Sequence, residues 1–169
     1  MEKYSPFSNF HQANITVDYT VYCSTEQYYH AKKAELFKDD NSYTQIMAST
    51  DSVEIMKLGK QVEDFKPAEW AMACDDVMYI GNMAKYTQIP ELKAKLLSTG
   101  EKALVESSKH DKYWGSGIAV NDKNALKKIS GLVKTKWECC LLKFDLKLYK
   151  ESLDMDLMGK YCVQLSNMY

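Results

Sequence analysis

Ser24-Thr25-Glu26-Gln27-Tyr28-Tyr29-His30-Ala31-Lys32-Lys33-Ala34-Glu35-Leu36-Phe37 is the stretch whose reading decides the fold. Ser24 is placed to cap a helix, and Gln27 three residues later completes a capping box. At roughly 100° per residue, Glu26, His30, Lys33 and Phe37 fall on one stripe, flanked by Tyr29, Ala34 and Leu36 on the more apolar side. Gln27, Lys32 and Glu35 fall opposite. The stripe therefore turns an acid and a base toward the protein, where a charged group is costly unless it is paired or in use. Two readings follow: a structural Glu26–Lys33 pair, or snorkelling side chains, on one hand, and a working acid on the other.

Upstream, Ile15-Thr16-Val17 and Thr20-Val21-Tyr22 alternate at period two around Asp18-Tyr19, a short β-hairpin that delivers the chain to Ser24. Ser5-Pro6-Phe7-Ser8-Asn9-Phe10 before it reads as an irregular, aromatic-flanked loop. Downstream, Asn41 is placed to cap a helix to about Ala48, and Asp51 with Glu54 opens another that stops at Leu58-Gly59, with the glycine just past its end. Pro67 sits at a first helical position, and Trp70, Cys74, Val77, Met78, Met83 and Ala84 carry the period on to about Tyr86. Pro90 opens a helix over Leu92, Leu96 and Leu97, ended by Gly100. Ala103-Leu104-Val105-Glu106 is a strand candidate, and residues 124–149 read as mostly helix. The expectation is one α+β domain, mainly helical, over residues 1–150, with 151–169 as a C-terminal extension.

Composition narrows the function classes. The 169 residues suit one domain with a substantial core, and the net charge of −1 argues for no general nucleic-acid or membrane surface. All 22 basic residues are lysine, so no guanidinium fork is available to grip a phosphate or carboxylate bidentately. Five cysteines with no metal-like spacing and three scattered histidines suggest free thiols in a reducing compartment, with no metal site and no cofactor. No apolar run approaches a membrane span, and Met1–Phe10 carries no signal-peptide core, so a cytoplasmic protein is expected. Composition sets no oligomeric state.

A second candidate site is the loop Asp111-Lys112-Tyr113-Trp114-Gly115-Ser116-Gly117, where a carboxylate stands near a flat aromatic face and two glycines permit close backbone approach. Its bland reading is a tight turn anchored by Trp114. Trp70 reads equally as core, and Asn9 as ordinary turn chemistry. Walker, GxSxG and HExxH patterns are missing.

Pro6-Phe7-Ser8-Asn9-Phe10 is followed by Thr25-Glu26-Gln27-Tyr28-Tyr29-His30-Ala31-Lys32-Lys33. Lys57-Leu58-Gly59-Lys60, Trp70, Val77-Met78, Ala84-Lys85-Tyr86-Thr87-Gln88 and Pro90-Glu91-Leu92 then come in order. Leu96-Leu97-Ser98-Thr99-Gly100, Leu104-Val105-Glu106-Ser107-Ser108 and Asp111 to Gly117 complete the series. Taken together, these motifs resemble the NADAR (YbiA-like) N-glycosidase family.

The resemblance implies a YbiA-like scaffold that hydrolyses a ribose C1–nitrogen bond. The implied substrate is an ADP-ribosyl or phosphoribosyl N-glycoside: ADP-ribose on guanine, with ADP-ribosylated DNA as a partner, or a phosphoribosylamino-pyrimidine of riboflavin synthesis. It also implies Glu26, Asp111 and Lys33 as catalytic residues, with Asn9, Ser8, His30, Trp70, Trp114 and Gly115 at the substrate. Gln27 and His30 stand where the family has His and Gln. Cys74 stands where it has an arginine, and Lys134 or Lys136 replaces another. Such losses leave open a non-catalytic module that binds ADP-ribose or NAD, and a structural subunit with a closed pocket.

Overall fold

The computed structural model describes residues 5–99, 104 and 111–118. The chain divides into two compact units, Met1–Lys102 and Ala103–Tyr169. The first holds a two-stranded sheet, β1 (Ile15–Val17) and β2 (Thr20–Tyr22), and five helices: α1 (Thr25–Leu36), α2 (Asp40–Ala48), α3 (Ser52–Lys60), α4 (Pro67–Gln88) and α5 (Pro90–Leu97). This is the expected α+β architecture. The strand candidate at Ala103–Glu106, apart from Leu104 itself, the helix expected over 124–149 and the extension 151–169 lie outside the described residues.

The hairpin pairs Ile15 with Tyr22, Thr16 with Val21 and Val17 with Thr20, antiparallel. Ile15 and Tyr22 are buried while Thr16 and Val21 face outward, which is the alternation a half-buried strand requires. Its two-residue turn places Asp18 at φ 49° and Tyr19 at φ 62°, the mirror-image geometry that matches strand twist, reached here without glycine. The Gln88 side chain then docks on the hairpin edge: its Oε1 accepts from Thr16 N–H at 2.8 Å, and its Nε2 donates to Thr16 O at 2.7 Å.

Helix α1 packs against α2, α3 and α4 and supplies Tyr28, Ala31 and Ala34 to a core shared with Ile15, Tyr22, Ile46, Ile55, Val62 and Ala84. Each large side chain buried there contributes about 1.5–3 kcal/mol. Gly81 lets α1 approach α4, since a Cβ there would lie 2.7 Å from Tyr28 Cδ1 and 3.0 Å from Thr25 Cγ2. With three helical neighbours, α1 has no simple wet face. The expected division of its surface is corrected accordingly: Gln27 is buried and Leu36 is exposed.

Three boundaries also differ from expectation. The cap of α2 is Asp39, whose Oδ1 accepts from Ser42 N–H at 2.9 Å, while Asn41 instead accepts from Gln45 Nε2. Asp39 serves better because its second oxygen also accepts from Glu63 N–H at 2.9 Å. Helix α3 runs past Gly59 to Lys60 and ends at Gln61, so that glycine lies inside the helix. Helix α4 continues two residues beyond Tyr86, to Gln88.

Candidate active site

The N-terminal turn of α1 is built by the segments before it. Ser24 is the cap, and its Oγ accepts from Gln27 N–H at 3.1 Å. Glu26 N–H, which the helix leaves unpaired, donates to Asn9 O at 3.1 Å. The second half of the expected capping box is displaced by one residue: Gln27 Oε1 accepts from Cys23 N–H at 2.7 Å. Gln27 Nε2 donates to Ile46 O at 3.0 Å and Ser49 O at 2.9 Å, tying this turn to the end of α2.

With the backbone satisfied, the Glu26 side chain is left for other contacts. It is 7% exposed, and its Oε1 accepts from His30 Nε2–H at 2.9 Å. The donor assignment follows from the carboxylate acting as acceptor. Oε2 makes no hydrogen bond among the described residues. The other ring nitrogen, His30 Nδ1, is buried without a hydrogen-bond partner. Behind the imidazole, Tyr29 stands edge-on at 5.3 Å, and Trp70 stands edge-on to Tyr29 at 5.0 Å. Trp70 Nε1 donates to Tyr29 Oη at 3.1 Å. Trp70, Tyr29, His30 and Glu26 thus form a continuous packed series from α4 into α1.

Lys33 does not meet Glu26. Seven residues is two helical turns, roughly 10 Å of rise, too far for a direct pair. Its Nζ donates to Gly59 O at 2.7 Å and lies 3.9 Å from the centre of the Phe65 ring. Burial pushes its ammonium below the ordinary lysine range. The pair formed by α1 is therefore Glu26–His30, four residues apart and facing each other across one turn.

Next to this turn lies a buried polar group that the sequence reading does not single out. Lys85 is fully buried, and its Nζ donates to Ser8 O at 2.8 Å. Burial lowers its pKa to about 7. Asn9, next to Ser8, donates through Nδ2 to Met78 Sδ at 3.3 Å and accepts from Asn82 Nδ2 at 3.4 Å. Asn82 also donates to Met78 O at 3.0 Å, and its buried Oδ1 has no hydrogen-bond partner. A signal was present in the spacing: extending the stripe Trp70, Cys74, Met78 by steps of three and four reaches Asn82 and Lys85.

Asp111, Trp114 and Gly115 belong to the second unit. Asp111 Oδ1 accepts from Tyr113 N–H at 2.8 Å and Trp114 N–H at 2.9 Å, and Gly117 N–H donates to Asp111 O at 3.2 Å. Gly117 takes φ +68°, and Gly115 is buried. The structure thus brings together Ser8, Asn9, Glu26, His30 and Trp70 in the first unit, leaves Lys33 two turns along α1 on Gly59 O, and gathers Asp111, Trp114 and Gly115 in one loop of the second. Among the described residues no group of three or more metal-binding side chains forms, and no helix is long and apolar enough to cross a membrane.

A NADAR domain model matches residues 1–134. The chain belongs to the NADAR domain family. Among similar NADAR-type proteins, N-glycosidase YbiA of Escherichia coli is 31% identical over 125 residues, covering 74% of this chain and 76% of that protein. An N-glycosidase of Acanthamoeba polyphaga mimivirus is 38% identical over 110 residues, covering 65% of each. A riboflavin biosynthesis protein of Vibrio vulnificus is 29% identical over 133 residues, 79% of this chain and 35% of that one. The chain thus spans less than two thirds of the mimivirus and Vibrio relatives. The NMR structure of Escherichia coli YbiA superposes with a TM-score of 0.69 at 25% identity, covering 94% of this chain and 86% of that one.

Proposed function

We propose that this NADAR domain is an N-glycosidase that hydrolyses a ribose C1–nitrogen bond, releasing ADP-ribose from a nucleobase such as guanine in DNA. The observation that carries the reading is Glu26: a buried carboxylate with one oxygen set by His30 at 2.9 Å and the other without a partner among the described residues. Relatives named N-glycosidases support it.

Breaking the C1–N bond builds positive charge on the sugar and negative charge on the departing nitrogen. A carboxylate held near C1 stabilises the oxocarbenium-like state and takes a proton from the attacking water, whose oxygen ends on C1. Glu26 Oε2 has that role, and His30 orients the carboxylate through Oε1. The leaving nitrogen needs a proton. The family pattern alone assigns Asp111 to supply it or to hold a ribose hydroxyl, and assigns Trp114 to stack on the base. With no arginine in the chain, a phosphate is left to lysine, backbone N–H groups and helix N-termini. Lys33, held on Gly59 O, supports the fold of α1 and adds positive charge near the site.

The relative named a riboflavin biosynthesis protein favours a second substrate, a phosphoribosylamino-pyrimidine. Incubation of the protein with ADP-ribosylated DNA, NAD and that pyrimidine riboside, with products weighed by mass spectrometry, separates the cases. The expected result is one substrate cut at its C1–N bond, giving free ADP-ribose and unmodified DNA from the first, or a free base and the ribose-bearing fragment from either of the others, and loss of that product in Glu26→Gln. Unchanged turnover in Glu26→Gln removes Glu26 from the chemistry. Ligand-induced thermal stabilisation with no product identifies a binding module instead.

A further inference from the structure

Lys57-Leu58-Gly59-Lys60 carries no chemistry of its own, and glycine is a poor residue for a helix interior. Gly59 nonetheless lies inside α3, with the cap two residues on at Gln61. Its backbone does not demand glycine, because among the described residues Gly117 is the glycine with positive φ. The demand comes from space. A Cβ on Gly59 would lie 2.6 Å from His30 Cε1 and closer still to Cγ and Nδ1. The imidazole is a rigid plane, and its Nε2 is already engaged by Glu26 at 2.9 Å. It has no room to yield to a methyl group without leaving the carboxylate. The Gly59 carbonyl meanwhile accepts from Lys33 Nζ at 2.7 Å, so one residue of α3 touches both bases of the α1 stripe.

We infer that Gly59 is a positioning residue for the Glu26–His30 couple: its missing side chain seats the His30 ring against Glu26, and its carbonyl fixes α1 to α3 at the same point. The catalytic consequence rests on the reading of Glu26 given above; the seating of the ring does not. With Nε2 turned to Glu26 and Nδ1 against Gly59, His30 acts through the carboxylate and not by direct contact with substrate.

The test compares wild type, Gly59→Ala, His30→Ala and the double variant. In Gly59→Ala the His30 ring resonances, followed by NMR, are expected to move. Its kcat should fall by ~10-fold or more while KM stays within ~3-fold. Added to His30→Ala, the same substitution is expected to leave kcat unchanged and not to lower Tm, because the ring it would strike is gone and alanine suits a helix interior better than glycine. Unmoved His30 resonances in Gly59→Ala, or an equal effect with and without the ring, overturn the inference. If Gly59→Ala alone does not fold, the double variant is expected to regain the fold, and failure to do so overturns it too. A wild type inactive on every N-glycoside tried sinks the glycosidase reading, while the NMR and Tm comparisons still decide the role of Gly59.

Discussion

Glu26 stands three residues before Tyr29, and Asp111 three residues before Trp114. The two acids are used in opposite ways. In the loop, Asp111 Oδ1 turns back onto its own backbone and accepts the N–H groups of Tyr113 and Trp114. In α1 the N–H two residues on from the acid belongs to the helix, Tyr28 N–H donating to Ser24 O at 3.2 Å, and the N–H groups before it are also taken, Glu26 N–H by Asn9 O and Gln27 N–H by Ser24 Oγ. The Glu26 carboxylate is therefore released from capping and meets a side chain, His30. An acid is available for chemistry when something else satisfies the backbone around it.

The largest expected effect tests that contrast directly. Glu26→Gln keeps the size and an oxygen for His30 but removes the carboxylate, and kcat on the accepted N-glycoside should fall by ~1000-fold. Asp111→Asn keeps the Oδ1 acceptor for the loop, and its kcat should fall by only about 10-fold. A greater loss in Asp111→Asn than in Glu26→Gln would reverse the assignment of the two acids.

Next in size is the support of the turn itself. Gln27→Ala removes a buried amide that serves Cys23 N–H, Ile46 O and Ser49 O, leaving Cys23 N–H without that acceptor and the two carbonyls with only the weaker donors Ser49 N–H at 3.3 Å and Cys23 Sγ at 4.0 Å. Urea unfolding should show a loss of ~3 kcal/mol. A loss below about 1 kcal/mol would mean that water replaces the amide and that the turn does not depend on α2.

What was legible in the sequence divides along the same line. The hairpin, the Ser24 cap, the Asp51 cap and the Pro67 and Pro90 helix starts are local signals, and each appears where it was expected. The Glu26–His30 spacing is also local, since four residues is one helical turn, yet the stripe offers Glu26–Lys33 as one of its readings. The partner of Lys33 is the Gly59 carbonyl, 26 residues away, and no helical period announces such a contact. As a local signal Gly59 marks a helix end, the commonest use of glycine, while its place inside α3 depends on a ring from another helix. Lys85 resembles any surface lysine in a list of residues. Only the packing of α4 against the Ser5–Phe10 loop buries it.

The burial of Lys85 has a pH signature. Lys85 is held at about 7 by desolvation, against 10.5 for an ordinary lysine. From about pH 7 upward the unfolded chain holds a proton that the folded chain has shed, so stability rises with pH across this window and is lowest below it. Lys33, also lowered by burial, acts in the same direction. Tyr22, pushed up to about 12, acts oppositely only above its ordinary value of 10.0. Between about pH 7 and about pH 9, Lys85 should contribute a rise of about 2 kcal/mol in unfolding free energy. Lys85→Met should flatten most of it; an unchanged slope would place the titration elsewhere.

The smallest effect separates the two acids by stability instead of rate. An Asp whose side chain accepts N–H groups two and three residues on mimics a turn of backbone, and losing such contacts at a partly exposed site costs ~1 kcal/mol. Asp111→Ala should lower the unfolding free energy by about that much, and Asp111→Asn, which can still accept at Oδ1, by less than half of it. Glu26→Gln should leave stability nearly unchanged, because neither its backbone N–H bond to Asn9 nor the Ser24 cap uses the carboxylate. The rate and stability effects of the two acids are thus expected to run in opposite order. A Glu26→Gln protein destabilised as much as Asp111→Ala would make its carboxylate a structural group after all.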